Sequence, residues 1–179
     1  MIDQVILVDE HDNQVGTCEK IEAHEKGLLH RALSVFMFNS KGELLIQQRD
    51  EEKYHSPCLW SNTACSHPYP GENNLAAAQR RLKEEMGLEA KLTWAFSFLY
   101  KCEFENGLSE HEFDHVYVGF TNALPNPDPK EVMAWEWASA NELEERLKVN
   151  ELEFTPWFKL CYKQAFDLSL KRSAHFIYS

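Results

Sequence analysis

The chain has 179 residues, of which 29 are acidic and 18 basic, giving a formal net charge of −11. This length suits one domain with a substantial core. The charge disfavours general nucleic-acid binding because no long basic face is available, although a small anionic substrate can bind where cations or a metal collect locally. No apolar run reaches the ~18 residues that span a bilayer, and MIDQVILVDEHD lacks the pattern of a secretion signal. We therefore expect a cytoplasmic protein without a membrane partner.

The cysteines indicate a reducing compartment. Their number is odd and they are widely scattered: Cys18, Cys58, Cys65, Cys102 and Cys161. Because no CxxC pair exists, any metal should be held mainly by histidines and carboxylates.

The first half of the chain predicts strands followed by a helix. QVILVDE and ALSVFMFN are rich in branched and aromatic residues, and SKGELLIQQR follows as the hairpin partner of the second. ENNLAAAQRRLKEEMGLE predicts a helix that is capped by Asn73 or Asn74 and ends at Gly87. Leu75, Ala78, Leu82 and Met86 recur at helical spacing, so we expect them to face the core.

The second half adds three strands and two helices. LTWAFSFLYKCEF, EFDHVYVGFT and EVMAWEWAS predict the strands, and SANELEERLK opens with the capping-box pair Ser139 and Glu142. The last helix starts at about residue 155 with a Thr-Pro pair. Because no strict βαβ rhythm is present, we predict one α/β or α+β domain over residues 1–179, built on a mixed sheet.

Two stretches carry candidate chemistry. In NTACSHPYPGE, the residues alone leave Cys65 as a small filler, a metal ligand beside His67, or a reacting group. In the helix that follows, Glu84 and Glu85 lie about one turn beyond Arg80 and Arg81. That helix offers oxygen ligands to a divalent ion and guanidinium groups to phosphate, but a solvated face with ion pairs is the alternative.

The helix resembles a Nudix box, whose pattern is G-x5-E-x7-R-E-U-x-E-E-x-G-U with U an aliphatic residue. The matching residues are Glu72, Arg80, Leu82, Glu84, Glu85, Gly87 and Leu88. Ser66 stands where the first glycine belongs, and Arg81 replaces the glutamate after the box arginine. Since hydrolytic members use that glutamate in their metal cluster, its loss argues against pyrophosphohydrolase activity.

Five ordered motifs resemble one branch, the type 1 isopentenyl-diphosphate delta-isomerases. They are LLHRALSVFMFNSKGELLIQQR, LWSNTACSHP, QRRLKEEMG, EHE and TPW, and they extend over nearly the whole chain. The resemblance implies a Nudix-like mixed β-sheet sandwiched by helices. It also implies interconversion of isopentenyl and dimethylallyl diphosphate, in isoprenoid synthesis, through a tertiary carbocation. The implied partner is this small isoprenoid diphosphate, and we expect a monomer, with a dimer left open.

The resemblance assigns the reacting groups and a metal site. It implies that Cys65 and Glu112 transfer protons on opposite faces of the substrate. The implied ligands of one divalent metal are His24, His30, His67, Glu110 and Glu112. Such a ligand set suits Mn, Zn or Fe better than Mg, which stays a candidate.

The resemblance also assigns substrate contacts. The implied substrate-binding residues are Lys20, Arg49, Lys53, Arg81, Tyr100 and Trp157. Glu85 would contact a second ion, a Mg bound with the diphosphate. The indole face of Trp157 would lie beside the carbocation, and Tyr100 beside the catalytic glutamate.

Strand alternation in SEHEFDH is an independent guide to the carboxylates. At a period of two, Glu110 and Glu112 project to one face and His111 to the other. We therefore expect His111 and His115 to be packed or surface histidines. The same expectation applies to His11, His55 and His175, which have no partner spacing.

Two other functions stay open. A Nudix pyrophosphohydrolase is the main alternative, favoured by Glu72, Arg80, Glu84 and Glu85. The other is a metal-dependent diphosphate-binding module without turnover.

Overall fold

The computed structural model describes the backbone of residues 3–176 and the side chains of residues 3–171. The strands are β1 (Gln4–Val8), β2 (Gln14–Glu19), β3 (His30–Phe38), β4 (Leu44–Arg49), β5 (Trp60–Ser61), β6 (Ala64–Ser66), β7 (Leu92–Glu103), β8 (Ser109–Phe120) and β9 (Val132–Ala138). The helices are α1 (Lys20–Lys26), α2 (Asn74–Met86), α3 (Ala140–Val149) and α4 (Pro156–Phe176), with a 3-10 turn at Glu151–Glu153.

Strand β3 is the centre of the sheet. It runs parallel to β8 along its whole length and antiparallel to β1, β4 and β6. Strand β7 pairs with the other edge of β8, β2 pairs with β1, and β5 and β9 pair with β4. The sheet is therefore mixed, which confirms the predicted fold class.

Both faces of the central strands are buried. Phe36 and Phe38 pack with Phe158 and Phe166 of α4, whereas Val35, on the opposite face of β3, packs against α2. The α2 contacts on that second face are Ala78, Leu82 and Met86. This two-sided burial explains why ALSVFMFN is almost continuously apolar. The predicted sandwich of a sheet between helices is confirmed.

The helix ends largely follow the sequence signals. Asn73 caps α2, and Gly87 ends it in the left-handed region with φ of 64°. An added Cβ there would lie 2.4 Å from the backbone oxygen of Asn126, so the close approach also requires glycine. Ser139 and Glu142 form the predicted capping box. The core prediction was wrong for Leu75, which is 37% exposed because it lies in the first turn of α2.

Four elements were not predicted: β2, α1 and the short strands β5 and β6. Over residues 3–176, no helix combines the length and apolar character needed to cross a membrane. The two ends of the predicted domain, residues 1–2 and 177–179, lie outside the described part of the chain, as does the side chain of His175.

Candidate active site and metal centre

Three imidazoles and a carboxylate converge beside the start of β3. His24 comes from α1, His30 opens β3, His67 follows β6, and Glu112 lies in β8. One ligand atom from each of these four buried groups lies within 4.8 Å of the others. Sheet register produces part of this arrangement, since His30 is the direct partner of Glu112 in the β3 and β8 ladder.

Two imidazoles form hydrogen bonds through Nδ1, so their Nε2 nitrogens, which face the cluster, carry no proton. His24 Nδ1 lies 2.7 Å from the Lys20 carbonyl oxygen, and His30 Nδ1 lies 2.8 Å from that of Leu28. A carbonyl only accepts hydrogen bonds, so both Nδ1 atoms carry protons and donate. In the neutral rings each Nε2 then has an unprotonated lone pair, which a metal ligand needs.

His67 and His30 also fit a bound cation. Their Nε2 atoms lie 3.2 Å apart, and His67 Nδ1 is buried with no hydrogen-bond partner. Burial and the neighbouring His24 lower the pKa of His30 to about 4, and burial and His30 lower the pKa of His67 well below its ordinary value. Since these facing nitrogens resist protonation, a divalent metal suits the space between them. The buried group could bind a metal.

Glu110 lies beside the cluster, together with a histidine that we had not assigned to the site. His24 Nε2 is 3.6 Å from Glu110 Oε1, while His55 Nε2 is only 2.6 Å from the same oxygen. Burial alone would raise the pKa of Glu110, but the neighbouring His24 and His55 outweigh it and hold the pKa well below its ordinary value. His55 thus lies in the site, although the sequence offers no spacing signal for it.

Glu112 is bonded by Tyr100 across the β7 and β8 ladder. The two residues are direct partners, and the Tyr100 hydroxyl donates to Glu112 Oε2 at 2.5 Å and lies 3.4 Å from Glu110 Oε2. Burial and the charge of Glu110 raise the pKa of Glu112 well above its ordinary value. The surroundings of this carboxyl therefore favour its neutral form more than water does.

Cys65 lies in β6, opposite Ser34 of β3. Its thiol accepts a hydrogen bond from Arg49 Nη1 at 3.5 Å. Burial raises the pKa of Cys65 to about 11, and the Arg49 charge offsets only part of that effect. Two groups of described residues could hold a metal, and Cys65 belongs to neither: His24, His30, His67 and Glu112, and His24, His55 and Glu110. Cys65 therefore lines the cavity as a protonated thiol.

A cationic region lies beside the thiol. Arg81 and Lys53 both pair with Glu131, Arg81 at 3.1 Å. The Lys20 ammonium group lies 3.2 Å from Asp3 Oδ2 and 5.1 Å from the Tyr54 ring. Ammonium and guanidinium groups of this kind can pair with phosphate oxygens, so the site has local positive charge despite the acidic composition of the chain.

The Nudix-like helix is tied together by its own ion pairs. Arg80 binds both carboxylate oxygens of Glu72, each at 2.8 Å. Glu84 accepts from Arg80 and Arg81 at 3.1 and 2.8 Å. Glu85 is 2% exposed, with one oxygen bound by Arg81 at 2.9 Å and the other by Gln47 at 2.7 Å. The alternative of a solvated face with ion pairs therefore applies to Glu84 but not to the buried Glu85.

Trp157 closes the site from the first turn of α4. The indole is 3% exposed and donates from Nε1 to Asn62 Oδ1 at 3.1 Å. The Arg49 guanidinium lies 5.3 Å from the indole ring, and His55 contacts the indole edge to face at 5.8 Å. The buried indole is thus fixed beside the arginine that contacts Cys65.

A single cavity connects these parts. The predicted site residues in its wall are Lys20, Arg49, Lys53, Cys65, His67, Arg81, Tyr100, Glu110, Glu112 and Trp157. His24, His30 and Glu85 lie behind this wall, linked to it by the contacts above. Tyr54 and His55 also line the cavity, and neither was selected from the sequence.

The neighbouring histidines of β8 point away from the metal group, as alternation predicts. His111 Nδ1 lies 3.0 Å from the Gly27 carbonyl oxygen. His115 lies 2.9 Å from Asp12 Oδ2 and 3.0 Å from Ser97 Oγ. Both are part-buried histidines with hydrogen-bond partners of their own.

Solved structures show the same fold. A Deinococcus radiodurans protein, at 23% identity, has a TM-score of 0.73, covering 89% of this chain and 98% of its own. A MutT protein from Methanosarcina mazei, at 20% identity, has a TM-score of 0.63, covering 80% and 96%. At such identities the likeness concerns the fold alone.

Curated relatives share a much higher sequence identity with this chain. The NUDIX domain model matches residues 28–158. The isopentenyl-diphosphate Delta-isomerase of Pectobacterium atrosepticum is 52% identical over 164 residues, 92% of each chain. The protein of the same name from Burkholderia multivorans is 46% identical over 175 residues, 98% of this chain and 99% of its own. This chain therefore belongs to the NUDIX domain family and, within it, to the isopentenyl-diphosphate Delta-isomerases.

Proposed function

We propose that this protein interconverts isopentenyl diphosphate and dimethylallyl diphosphate. The observation that carries the proposal is that a protonated thiol, Cys65, and a buried tyrosine-bound carboxyl, Glu112, line one cavity together with four cationic side chains. The names of relatives that align over nine-tenths of the chain support the same activity.

The reaction moves a double bond by two proton transfers. A proton adds to the terminal methylene carbon of isopentenyl diphosphate, which leaves a tertiary carbocation, and loss of a proton from the neighbouring methylene gives the product. We assign these transfers to Cys65 and Glu112. Since the reaction is reversible, each group donates in one direction and accepts in the other. Arg49, 3.5 Å from the sulfur, would stabilise the thiolate that remains after donation.

The buried His and Glu group would hold one divalent ion. We assign its ligands as His24, His30, His67, Glu110 and Glu112, with Mn or Zn favoured over Mg by the imidazole content. The bound ion would supply positive charge that lowers the pKa of the Glu112 carboxyl. Tyr100 keeps that carboxyl oriented through its 2.5 Å hydrogen bond.

The diphosphate would bind on the cationic side. Lys20, Arg49, Lys53 and Arg81 supply ammonium and guanidinium groups to its oxygens. A Mg ion carried in with the diphosphate would neutralise phosphate charge, with Glu85 as its protein contact. Glu85 Oε2, which accepts from Gln47, would keep a lone pair for this ion.

Trp157 would face the cationic carbon. An aromatic ring stabilises a nearby cation by about 2 kcal/mol when both are desolvated. The hydrogen bond from the indole to Asn62 fixes the plane of the ring without using its face. The same buried ring would help to keep water from the carbocation.

The test is incubation of the metal-loaded protein with isopentenyl diphosphate in heavy water. We expect dimethylallyl diphosphate by NMR, with deuterium in the recovered substrate and product. Release of phosphate or pyrophosphate without isomerisation would refute the proposal in favour of a Nudix hydrolase. That alternative draws support from Glu72 and Glu84, but both are already paired with arginines.

A further inference from the structure

His55 is the least expected member of the site. Its side chain is 5% exposed. Its Nε2 lies 2.6 Å from Glu110 Oε1, closer than the Nε2 of His24, which is 3.6 Å away. The segment before β5 contains neither a strand nor a helix, so this placement results from tertiary contacts. The transfer of protons assigned above does not use this residue.

The direction of the hydrogen bond follows from the carboxylate. A carboxylate can only accept, and the atom of His55 that lies 2.6 Å from Glu110 Oε1 is the ring nitrogen Nε2. His55 Nε2 therefore carries the proton and donates it. A nitrogen that carries this proton has no lone pair for a metal, whereas His24 and His30 donate from Nδ1 and keep the lone pair of Nε2.

The imidazole of His55 is held rigidly. It stacks on Phe104 with ring centroids 5.2 Å apart and planes 11° apart, and it meets the edge of Trp157 at 5.8 Å. Its backbone oxygen accepts from Arg49 Nη2 at 3.1 Å, and the next carbonyl, of Ser56, accepts from Arg49 Nε at 3.0 Å. The donor therefore has a fixed position relative to β8.

We propose that His55 is a positioning residue that orients the Glu110 carboxylate toward the metal. The inference rests on the metal site of the proposed function. Ligating carboxylates are generally held by hydrogen bonds of this kind, and loss of such a partner costs about 10- to 100-fold in metal affinity. Because Phe104 and Trp157 contact the same imidazole, His55 also links the metal side of the cavity to the indole.

Two substitutions separate donation from direct ligation. His55→Gln places an amide N–H near the position of Nε2 but is a poor metal ligand, whereas His55→Phe keeps the aromatic packing and removes the donor. We expect His55→Phe to weaken Co²⁺ and Mn²⁺ binding by about 10- to 100-fold and His55→Gln by less than about 5-fold. Affinity is measured by competition with a chromophoric chelator, and Co²⁺ absorption reports the ligand field.

A double mutant tests whether His55 acts through Glu110. In a Glu110→Gln background, His55→Phe should cause less than about a twofold further loss, because the ligand that it positions is already gone. His11→Gln, which changes an exposed histidine, is the matched control and should bind like the unmodified protein. If His55→Phe fails to fold by circular dichroism, His55→Leu supplies the donor-free variant.

The outcomes are distinct. Unchanged affinity in the donor-free variant overturns the inference, and equal losses in His55→Gln and the donor-free variant indicate direct ligation or packing instead. An additive loss in the Glu110→Gln background overturns it as well. Metal affinity needs no turnover, so a protein without isomerase activity would refute the proposed function and leave this test intact.

Discussion

Replacing Tyr100 by Phe isolates one hydrogen bond in the site. The hydroxyl is 2.5 Å from Glu112 Oε2, and the ring is 5% exposed and stacked on Phe98 at 5.4 Å. The substitution keeps this packing and removes only the donor. A buried hydrogen bond to a charged group contributes about 1.5–3 kcal/mol, and 1.4 kcal/mol corresponds to a factor of ten, so the effect is about 10- to 150-fold.

We expect that factor in kcat rather than in KM. Tyr100 bonds to the two carboxylates and to none of the cations assigned to the diphosphate, so its loss should affect proton transfer more than substrate binding. Initial rates of dimethylallyl diphosphate formation, measured by NMR over a range of substrate concentrations, separate the two constants.

Tyr117→Phe is the matched control. Tyr117 is also 5% exposed and lies in β8, but its ring packs in the cluster under α2. It should retain the unmodified rate. An unchanged kcat for Tyr100→Phe, or a rise in KM alone, would refute the positioning of Glu112 by this hydroxyl.

Other expectations test the proton pair, the metal and the fold. Cys65→Ala and Glu112→Gln should each abolish isomerisation while the far-ultraviolet circular dichroism is kept; the unmodified rate in either would contradict its role. Metal at about 100 times its Kd should add about 2.7 kcal/mol to unfolding and raise Tm by about 5–11 °C in calorimetry. For the metal-free protein, burial lowers the pKa of His30 from 6.5 to about 4. The contribution of His30 to the free energy of unfolding is therefore complete above pH 6.5. It falls by about 3 kcal/mol between pH 6.5 and 4, because only the unfolded chain takes up the proton in that range. Urea titrations at several pH values measure this fall. Ser139→Ala, which removes the capping box of α3, should cost about 1 kcal/mol in the same titrations and leave turnover unchanged.

Periodic elements were predictable because local rules determine them. The α2 helix carries its own cap and its own stop, and alternation in β8 correctly separates Glu112 from His111. By contrast, β2 contains no buried residue and has no clear alternation, while α1 has only seven residues. Neither leaves a periodic signal in the sequence.

The neighbourhood of His55 could not be read from spacing. Its partner Glu110 lies in β8, and its ring contacts come from Phe104 and Trp157, so three distant segments must fold before the site exists. The same applies to Glu131, which precedes β9 yet pairs with Lys53 and Arg81. The family resemblance implied the metal-ligand set. The contacts of His55 and Glu131 with these residues depend on the tertiary structure and have no signal in the sequence.

The pairing of the cations suggests how an acidic chain would take up a diphosphate. Glu131 pairs with both Lys53 and Arg81, and Asp3 pairs with Lys20. An incoming diphosphate would therefore exchange with carboxylates rather than meet free cations, so its net gain is the difference between two sets of ion pairs. Glu131 and Asp3 lie 24% and 53% exposed, so a displaced carboxylate can be hydrated without a large penalty. Glu85, at 2% exposure, cannot move into water, which favours it as the protein contact of the proposed Mg ion while the exposed acids leave.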